Sequence, residues 1–262
     1  MIDNRLSVAP GAAISPMTPS DIETIERATV AAVSPEAVEE FQGWLLPFDS
    51  GTVSRARSAV PLRHGPVENA MVDQIEARYR ARGLRTVFRL AQAACFDSLR
   101  QELARRGYQT GKPVLVQVAA VKTMRDVCTA TPAETADSPD AGWAALFLAE
   151  GFDPVDGASR VKALSRAQGS VFASVRDQDK TVAAGAGAFS HGWSSVHGMR
   201  TDQGFRGRGL AGRVLAGIAD VAAQRGITRV FLQVEDVNTP ALALYRRAGF
   251  ETVWSYDYWT QP

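Results

Sequence analysis

Cysteine, histidine and lysine are all scarce in this chain, and each scarcity removes a class of function. The 262 residues hold two cysteines, Cys95 and Cys128, and three histidines. Such counts build neither a disulfide framework nor a zinc ligand set. Only Lys112, Lys122, Lys162 and Lys180 are lysines, so the 29 basic residues are nearly all arginine. They face 28 Asp and Glu, for a net charge of +1. That balance argues against a nucleic-acid binder, which needs a basic face. No apolar run approaches the roughly 18 residues of a membrane span. Residues 1–20 lack the basic start and apolar run of a secretory leader. The expectation is a cytoplasmic protein with no metal, no nucleic-acid partner and no membrane contact. What remains is ordinary for a globular chain, 45% hydrophobic and 22% charged. At roughly 150 residues per domain, the length suggests about two domains.

The order of elements divides the chain. Residues 1–20 carry Pro10, Gly11, Pro16 and Pro19 and read as a loose arm. Asp21 is expected to cap a helix running to Ala32. Trp44–Phe48 and Thr52–Val60 read as strands of a hairpin around Asp49-Ser50-Gly51. A helix over 68–82, a strand over 86–90, a helix over 96–106 and a strand over 114–121 follow. The small, polar, proline-bearing segment 128–140 reads as a linker. It separates a first domain, 21–127, from a second, 141–262. The second is expected to hold helices over 141–150 and 155–167 and a hairpin of strands 170–175 and 181–189. A strand over 193–199, a helix over 210–225, a strand over 229–234, a helix over 239–248 and a strand over 251–259 complete it.

Two sequence matches recur in the same order in both halves. Arg82-Gly-Leu-Arg-Thr-Val-Phe88 parallels Arg225-Gly-Ile-Thr-Arg-Val-Phe231, and Leu103-Ala-Arg-Arg-Gly-Tyr108 parallels Leu244-Tyr-Arg-Arg-Ala-Gly-Phe250. This implies one fold used twice.

Gly204-Phe-Arg-Gly-Arg-Gly-Leu-Ala-Gly212 places four glycines in nine residues between a strand and a helix. Glycine lets backbone approach a ligand closely, and a helix N-terminus offers free N–H groups and partial positive charge. Arg206, Arg208 and Arg213 add formal charge, so the loop suits a phosphate; its plainer reading is a tight turn. A P-loop requires Lys and Ser/Thr, which are missing. Gly207-Arg-Gly209-Leu-Ala-Gly212 fits the dinucleotide pattern, with Glu235 downstream. Yet 201–206 separate it from the strand, and only 27 residues follow Glu235.

The third candidate is acyl-CoA. Arg206-x-x-Gly209-x-Ala211 resembles the pyrophosphate loop of the GNAT superfamily of N-acetyltransferases. Asn238-x-x-Ala241-x-x-Leu244-Tyr245-x-x-x-Gly249-Phe250 is similar to that superfamily's second signature. The close likeness covers about 170–259. It implies an α/β fold with a mixed, mostly antiparallel sheet flanked by helices, in two GNAT-like domains. It implies acetyl transfer from acetyl-CoA to an amine of a small molecule or peptide, by direct attack through a tetrahedral intermediate. The alternative is an acyl-CoA-binding regulatory protein without turnover.

The resemblance also assigns roles. Backbone N–H groups from Arg208 through Gly212, including Gly209, Leu210 and Ala211, would meet the pyrophosphate beside Arg206 and Gly207. Met199 and Thr201 would bond the pantetheine arm through their backbones, with the Met199 N–H as oxyanion donor. Asn238 would bond the same arm, or simply cap its helix. Tyr245 stands at the family's proton-donor position. For the general base, His197 is the side-chain choice, Glu235 its rival and a water relay the third option. In the first half the Tyr245 position falls on Leu103 and the Asn238 position on Phe96. The glycine loop has no counterpart beyond Leu62-Arg-His-Gly-Pro66. The first domain is therefore expected to be a degenerate copy. Trp44, Arg55 and Arg57 are weighed as cleft residues against ordinary packing and surface charge. Trp193, Trp254, Tyr256, Tyr258 and Trp259 are weighed as a substrate-side wall against core or inter-domain contacts, and the latter is the expectation. A monomer or homodimer is expected.

Overall fold

A computed structural model describes residues 17–151 and 153–262. Residues 1–16, most of the expected arm, lie outside the described residues. The first half contains α1 (Pro19–Val33), β1 (Ala37–Phe41), β2 (Trp44–Phe48), a 3-10 turn (Ser54–Ala56), β3 (Val60–Pro61) and α2 (Ala70–Arg80). It continues through β4 (Val87–Ala91), α3 (Asp97–Arg105), β5 (Gln109–Thr110), β6 (Val114–Ala120) and α4 (Val121–Arg125). After these come β7 (Glu134–Ala136), α5 (Ala141–Ala145), α6 (Pro154–Arg166), β8 (Val171–Asp177), β9 (Lys180–Ser190) and β10 (Trp193–Thr201). The chain closes with α7 (Leu210–Gln224), β11 (Arg229–Glu235), α8 (Thr239–Arg247) and β12 (Glu251–Thr260). Among the described residues no helix is long and apolar enough to cross a membrane.

Three local expectations need correction. Thr18, not Asp21, caps α1: the Thr18 hydroxyl accepts from the Asp21 N–H, and the Asp21 carboxylate accepts from the Thr18 N–H. This reciprocal pair is a capping box. The first hairpin joins β1 to β2 around Gln42 (φ 46) and Gly43 (φ 80). Two left-handed residues make the tight turn that matches strand twist. Asp49-Ser50-Gly51 instead closes a local turn, with the Gly51 N–H donating to Asp49 Oδ1 at 2.8 Å. That turn leads into the 3-10 turn rather than a strand. Finally, the expected linker 128–140 contributes β7, an edge strand paired with β8. The Ala133 N–H also donates to the Arg213 carbonyl on α7 at 2.9 Å.

The main sheet runs β4-β12-β6-β11-β10-β9-β8-β7, with β5 beside β12. All its neighbours are antiparallel except β10 and β11. A smaller sheet, β1-β2-β3, meets it through a parallel bridge from Ala59 to Phe88. β6, from the first half, lies between β11 and β12 of the second. β12, from the second half, lies between β6 and β4 of the first. Each half therefore lends its last long strand to the other.

The matched segments of the two halves hold four similar helix ends. Gly83, Gly107, Gly226 and Gly249 all have φ between 69° and 84°. Behind each, the next N–H reaches the carbonyl five residues back: Leu84 to Tyr79, Tyr108 to Leu103, Ile227 to Ala222 and Phe250 to Tyr245, at 2.9–3.0 Å. This is the six-to-one bond of a Schellman stop, in which glycine accepts the left-handed step without penalty. Leu103 and Tyr245 hold equivalent places in that bond.

On one face of the main sheet, α7 and α8 bury Val196, Val230, Leu232 and Val214 in a common core. On the other, Ile25 and Ala28 of α1 pack with Val116, Phe231 and Tyr256. A third core gathers Trp44, Tyr79, Phe88 and Leu103, and Trp259 of the lent strand enters it. Trp44 and Trp259 are thus core residues. Trp193 is buried edge-on to Phe231 and donates to Thr24 Oγ1 at 3.0 Å.

Candidate functional site

β10 and β11 pair in parallel from Ser194/Val230 to Val196/Leu232, and there the pairing ends. On its other side β10 follows β9 until His197 opposes Ala186; the register then resumes with Arg200 opposite Ala184. Gly198 and Met199 thus face Gly185 alone. An extra residue on one strand is a β-bulge, which bends the strand and breaks the ladder. Gly198 takes φ +59, and a side chain there would press on Leu164 and Phe147 at 3.0 Å. Gly185 has no room for one either, since a Cβ would sit 2.7 Å from Met199 Sδ. The sequence thus opens a gap between two strands and turns the Met199 backbone at its edge. Thr201 lies beyond the bulge, back in register with Ala183.

Past Thr201 the chain enters the glycine loop. The Asp202 carboxylate accepts from the Gly204 N–H at 2.9 Å and pairs with Lys180 at 2.7 Å. The hydrogen bond from Lys180 and that from Gly204 hold it below the usual carboxylate range. Gly207 (φ 78) and Gly209 (φ 73) are both left-handed, and Gly209 is the N-cap of α7. No side chain caps that helix. Gly212 and Arg213 turn back onto the Gly209 carbonyl at 3.0 and 3.4 Å. Leu210 and Ala211, in the first turn, have N–H groups without partners among the described residues. Such groups carry partial positive charge. Arg206 is exposed on the loop, and Arg208 lies over the Phe205 ring at 4.7 Å. Arg213 differs from expectation: its Nε donates to the Thr131 carbonyl at 2.6 Å.

Tyr245, on α8, is 7% exposed and stands edge-on to Phe250 at 5.7 Å. Burial pushes its hydroxyl up to about 12, so it stays protonated at neutral pH. Asn238 caps α8, its Oδ1 accepting from the Ala241 N–H at 3.3 Å. Its capping reading therefore holds, and the side-chain nitrogen is left over. Glu235 is exposed at the end of β11.

His197 lies on the α1 face, at the mouth of the gap. It is 3% exposed, with Nε2 2.8 Å from Ser195 Oγ and Nδ1 buried without a hydrogen-bond partner. Burial, and then the nearby Arg55 guanidinium, hold it well below the usual imidazole range, so it is neutral. Gln233 is the first β11 residue past the paired stretch. Its Oε1 accepts from Tyr256 OH at 2.9 Å and from Arg55 Nη1 at 3.3 Å, and its Nε2 donates to Thr29 Oγ1 at 2.9 Å. Tyr258 OH is 3.2 Å from Tyr256 OH. Of the possible cleft residues, Arg55 is therefore here. Trp44 is buried elsewhere, and Arg57 lines a separate pocket of about 410 Å3 with Arg80 and Arg85. Another pocket, of about 540 Å3, lies between α5 and the β8–β9 turn. Neither is lined by residues of the gap.

Sequence reasoning passed over Gln233, Ser195 and Gly198. The signal was present: Gln233 interrupts the apolar run of β11, and Ser195 and His197 alternate on one face of β10.

The chain is similar to known proteins over most of its length. The family model described as "Probable histone acetyltransferase Rv0428c C-terminal" matches residues 19–259. The chain is 24% identical over 250 residues to the uncharacterized N-acetyltransferase YobR of Bacillus subtilis, covering 91% of this chain and 98% of that protein. It is 48% identical over 59 residues to mycothiol acetyltransferase of Clavibacter sepedonicus, covering 22% of this chain and 19% of that one. Among solved structures it resembles a GCN5-related N-acetyltransferase from Kribbella flavida, with a TM-score of 0.68 and 16% identity over 92% of this chain and 95% of that one. A tandem GNAT protein from the clavulanic acid biosynthesis pathway matches with a TM-score of 0.58 and 13% identity, over 94% and 96% of the two chains.

Proposed function

The chain belongs to the family of the probable histone acetyltransferase Rv0428c C-terminal region, an acetyltransferase family of the GNAT kind, and we propose that it moves an acetyl group from acetyl-CoA to an amine of a small molecule or peptide. The observation that carries this reading is the continuity of gap, bulge and loop. The strand that parts from β11 at Val196 bends at Gly198–Met199 and ends in the glycine loop at the start of α7. A thioester arm laid in the gap would have its pyrophosphate beside the N–H groups of Gly209, Leu210 and Ala211, with Arg206 adjacent. That end of a helix favours phosphate.

In the proposed reaction the amine nitrogen bonds to the acetyl carbon, and the oxyanion that forms accepts from the Met199 N–H. The carbon–sulfur bond then breaks. The sulfur leaves as thiolate beside the Tyr245 hydroxyl, and the amine gives up a proton. Neutral His197, in reach of the gap's mouth, is the side chain we assign to relay it, directly or through water; burial and Arg55 disfavour a lasting imidazolium, so the proton passes on.

We also read residues 21–127 as a degenerate GNAT-like copy and 141–262, with β7 added at its edge, as the catalytic half. The matched Schellman ends and the parallel Ala59–Phe88 bridge support a common plan. Leu103 in place of Tyr245, and the missing glycine loop, support loss of chemistry there.

The test is calorimetric binding of acetyl-CoA together with thiol release across an amine panel. Wild type is expected to bind and to release thiol. Gly209→Val adds bulk where backbone should meet phosphate and forces a β-branched residue to φ +73, so binding should be lost. Wild-type affinity in that variant removes the loop from the site. Binding without thiol release from any amine would favour the non-catalytic, regulatory reading.

A further inference from the structure

We propose that the acceptor carries a carboxylate close to its amine, as an amino acid does, and that Arg55 binds that carboxylate at the mouth of the gap. This rests on the acetyltransferase reading above and deepens it.

Arg55 is not on a free surface loop. It sits in the 3-10 turn whose flanking residues Val53 and Ala56 are buried against Val33 of α1 and Ala163 of α6. That anchoring aims a half-buried guanidinium at the end of the β10–β11 pairing. Its side-chain partner is a neutral amide oxygen, Gln233 Oε1. Among the described residues it forms no ion pair, in a protein where most other arginines near this face are matched. Arg160 pairs with Asp156 at 2.5 Å, and Arg89 with Glu26 at 2.5 Å. A half-buried guanidinium whose one side-chain bond goes to an amide keeps N–H donors open toward the gap, and a carboxylate there would be met bidentately.

The surrounding groups fit the rest of an amino acid. His197 keeps a buried ring nitrogen with no partner. Tyr256 and Tyr258 supply hydroxyls. Gln233, the first β11 residue past the pairing with β10, holds Arg55 at the gap, so an acceptor fixed by its carboxylate at Arg55 has its amine one or two carbons away, toward the gap. The same arrangement disfavours polyamines and aminoglycosides, which would bring more positive charge beside Arg55.

The experiment measures thiol release from acetyl-CoA by the 262-residue chain, using amino acids matched with their amides and with the corresponding simple amines. The amide's amino group is less basic and more of it is neutral, so intrinsic reactivity favours the amide. Preference for the free acid by about 10- to 100-fold in kcat/KM is the expected result. Arg55→Met should abolish that preference by lowering acid turnover toward the amide's, and Arg55→Lys should restore part of it. Equal use of acid and amide by wild type overturns the proposal. So does an Arg55→Met variant that loses acid and amide activity in equal measure, since that marks a structural role. Thiol release from none of the amines, with acetyl-CoA still bound, overturns the acetyltransferase reading itself and this assignment with it. Brisk turnover of amides alone overturns only the assignment.

Discussion

Replacing Tyr245 by Phe tests the proposed departure of the thiolate, and the structure sets bounds on the loss. The ring is 7% exposed, and its hydroxyl has no hydrogen-bond partner among the described residues. Removing that oxygen breaks no native bond, so stability should move by less than about 1 kcal/mol. Catalysis should respond more. Burial puts the hydroxyl at about 12, against about 8.5 for an ordinary thiol. Full transfer of its proton to the thiolate would therefore cost about 5 kcal/mol. A hydrogen bond held through the transition state avoids that cost, and a bond to a charged group is worth about 1.5–3 kcal/mol. The expected effect is a fall in kcat of about 10- to 150-fold. The affinity for acetyl-CoA and the melting temperature should hardly change. Single-turnover thiol release, calorimetry and thermal denaturation read the three quantities. A kcat within twofold of wild type removes Tyr245 from the reaction. A loss beyond about 10,000-fold would show complete proton donation and refute the hydrogen-bond argument.

Other perturbations probe the frame around the gap. His197 is held below its unfolded value of about 6.5, so the unfolded chain binds that proton more readily; stability is full above pH 6.5 and falls below it. Between pH 6.5 and 5, urea denaturation should show up to about 1.6 kcal/mol more loss in wild type than in His197→Gln, and equal slopes would contradict the burial. Gly185→Ala puts a methyl 2.7 Å from Met199 Sδ and 2.8 Å from Val214 Cγ1; it should cost about 1–3 kcal/mol and disturb turnover through the bulge, whereas unchanged stability and rate would deny the contact. Glu26→Ala leaves Arg89 buried and uncompensated, for a loss of about 3–5 kcal/mol, and a shift under 1 kcal/mol would mean the pair is not closed off from water. A chain starting at Cys128 lacks β6 and so bares the edges of β11 and β12; it should be insoluble, and a soluble, folded product would refute the shared sheet.

The elements of the second half were largely legible, because amphipathic spacing, glycine stops and the loop all speak locally. Leu210–Gln224 and Arg229–Glu235 fall within a residue of expectation. So does the placing of Leu103 opposite Tyr245, since both follow from counting back from a glycine stop. The exchange of β6 and β12 was not legible. Each strand reads correctly as a strand, yet its partners lie more than a hundred residues away. Several strands of similar length and apolar pattern offer nearly the same pairing, so local pattern cannot choose between them. The first hairpin was missed because Asp49-Ser50-Gly51 is the stronger turn signal, while Gln42-Gly43 makes the actual turn. Arg55 and Gln233 show a different limit. Their meeting depends on a short turn, held by α1 and α6, arriving at the end of a ladder 178 residues away.

The lending of strands has a consequence for how the proposed site is divided. Everything assigned to the donor belongs to the second half: the bulge at Gly198–Met199, the loop from Arg206 to Gly209, and Tyr245. The α1 face of the same gap is walled in part by the first half, through Thr29 on α1 and Arg55 on the 3-10 turn. With β6 between β11 and β12, that wall is tied to the catalytic half by hydrogen bonds along the whole of β6 rather than by a flexible contact. A half that lacks the glycine loop and carries Leu103 for Tyr245 thus holds a position from which, on the proposed function, it would set what approaches the donor. Changes on α1 or in the Ser54–Ala56 turn should then alter acceptor preference while leaving acetyl-CoA affinity unchanged, and changes in the loop should do the reverse.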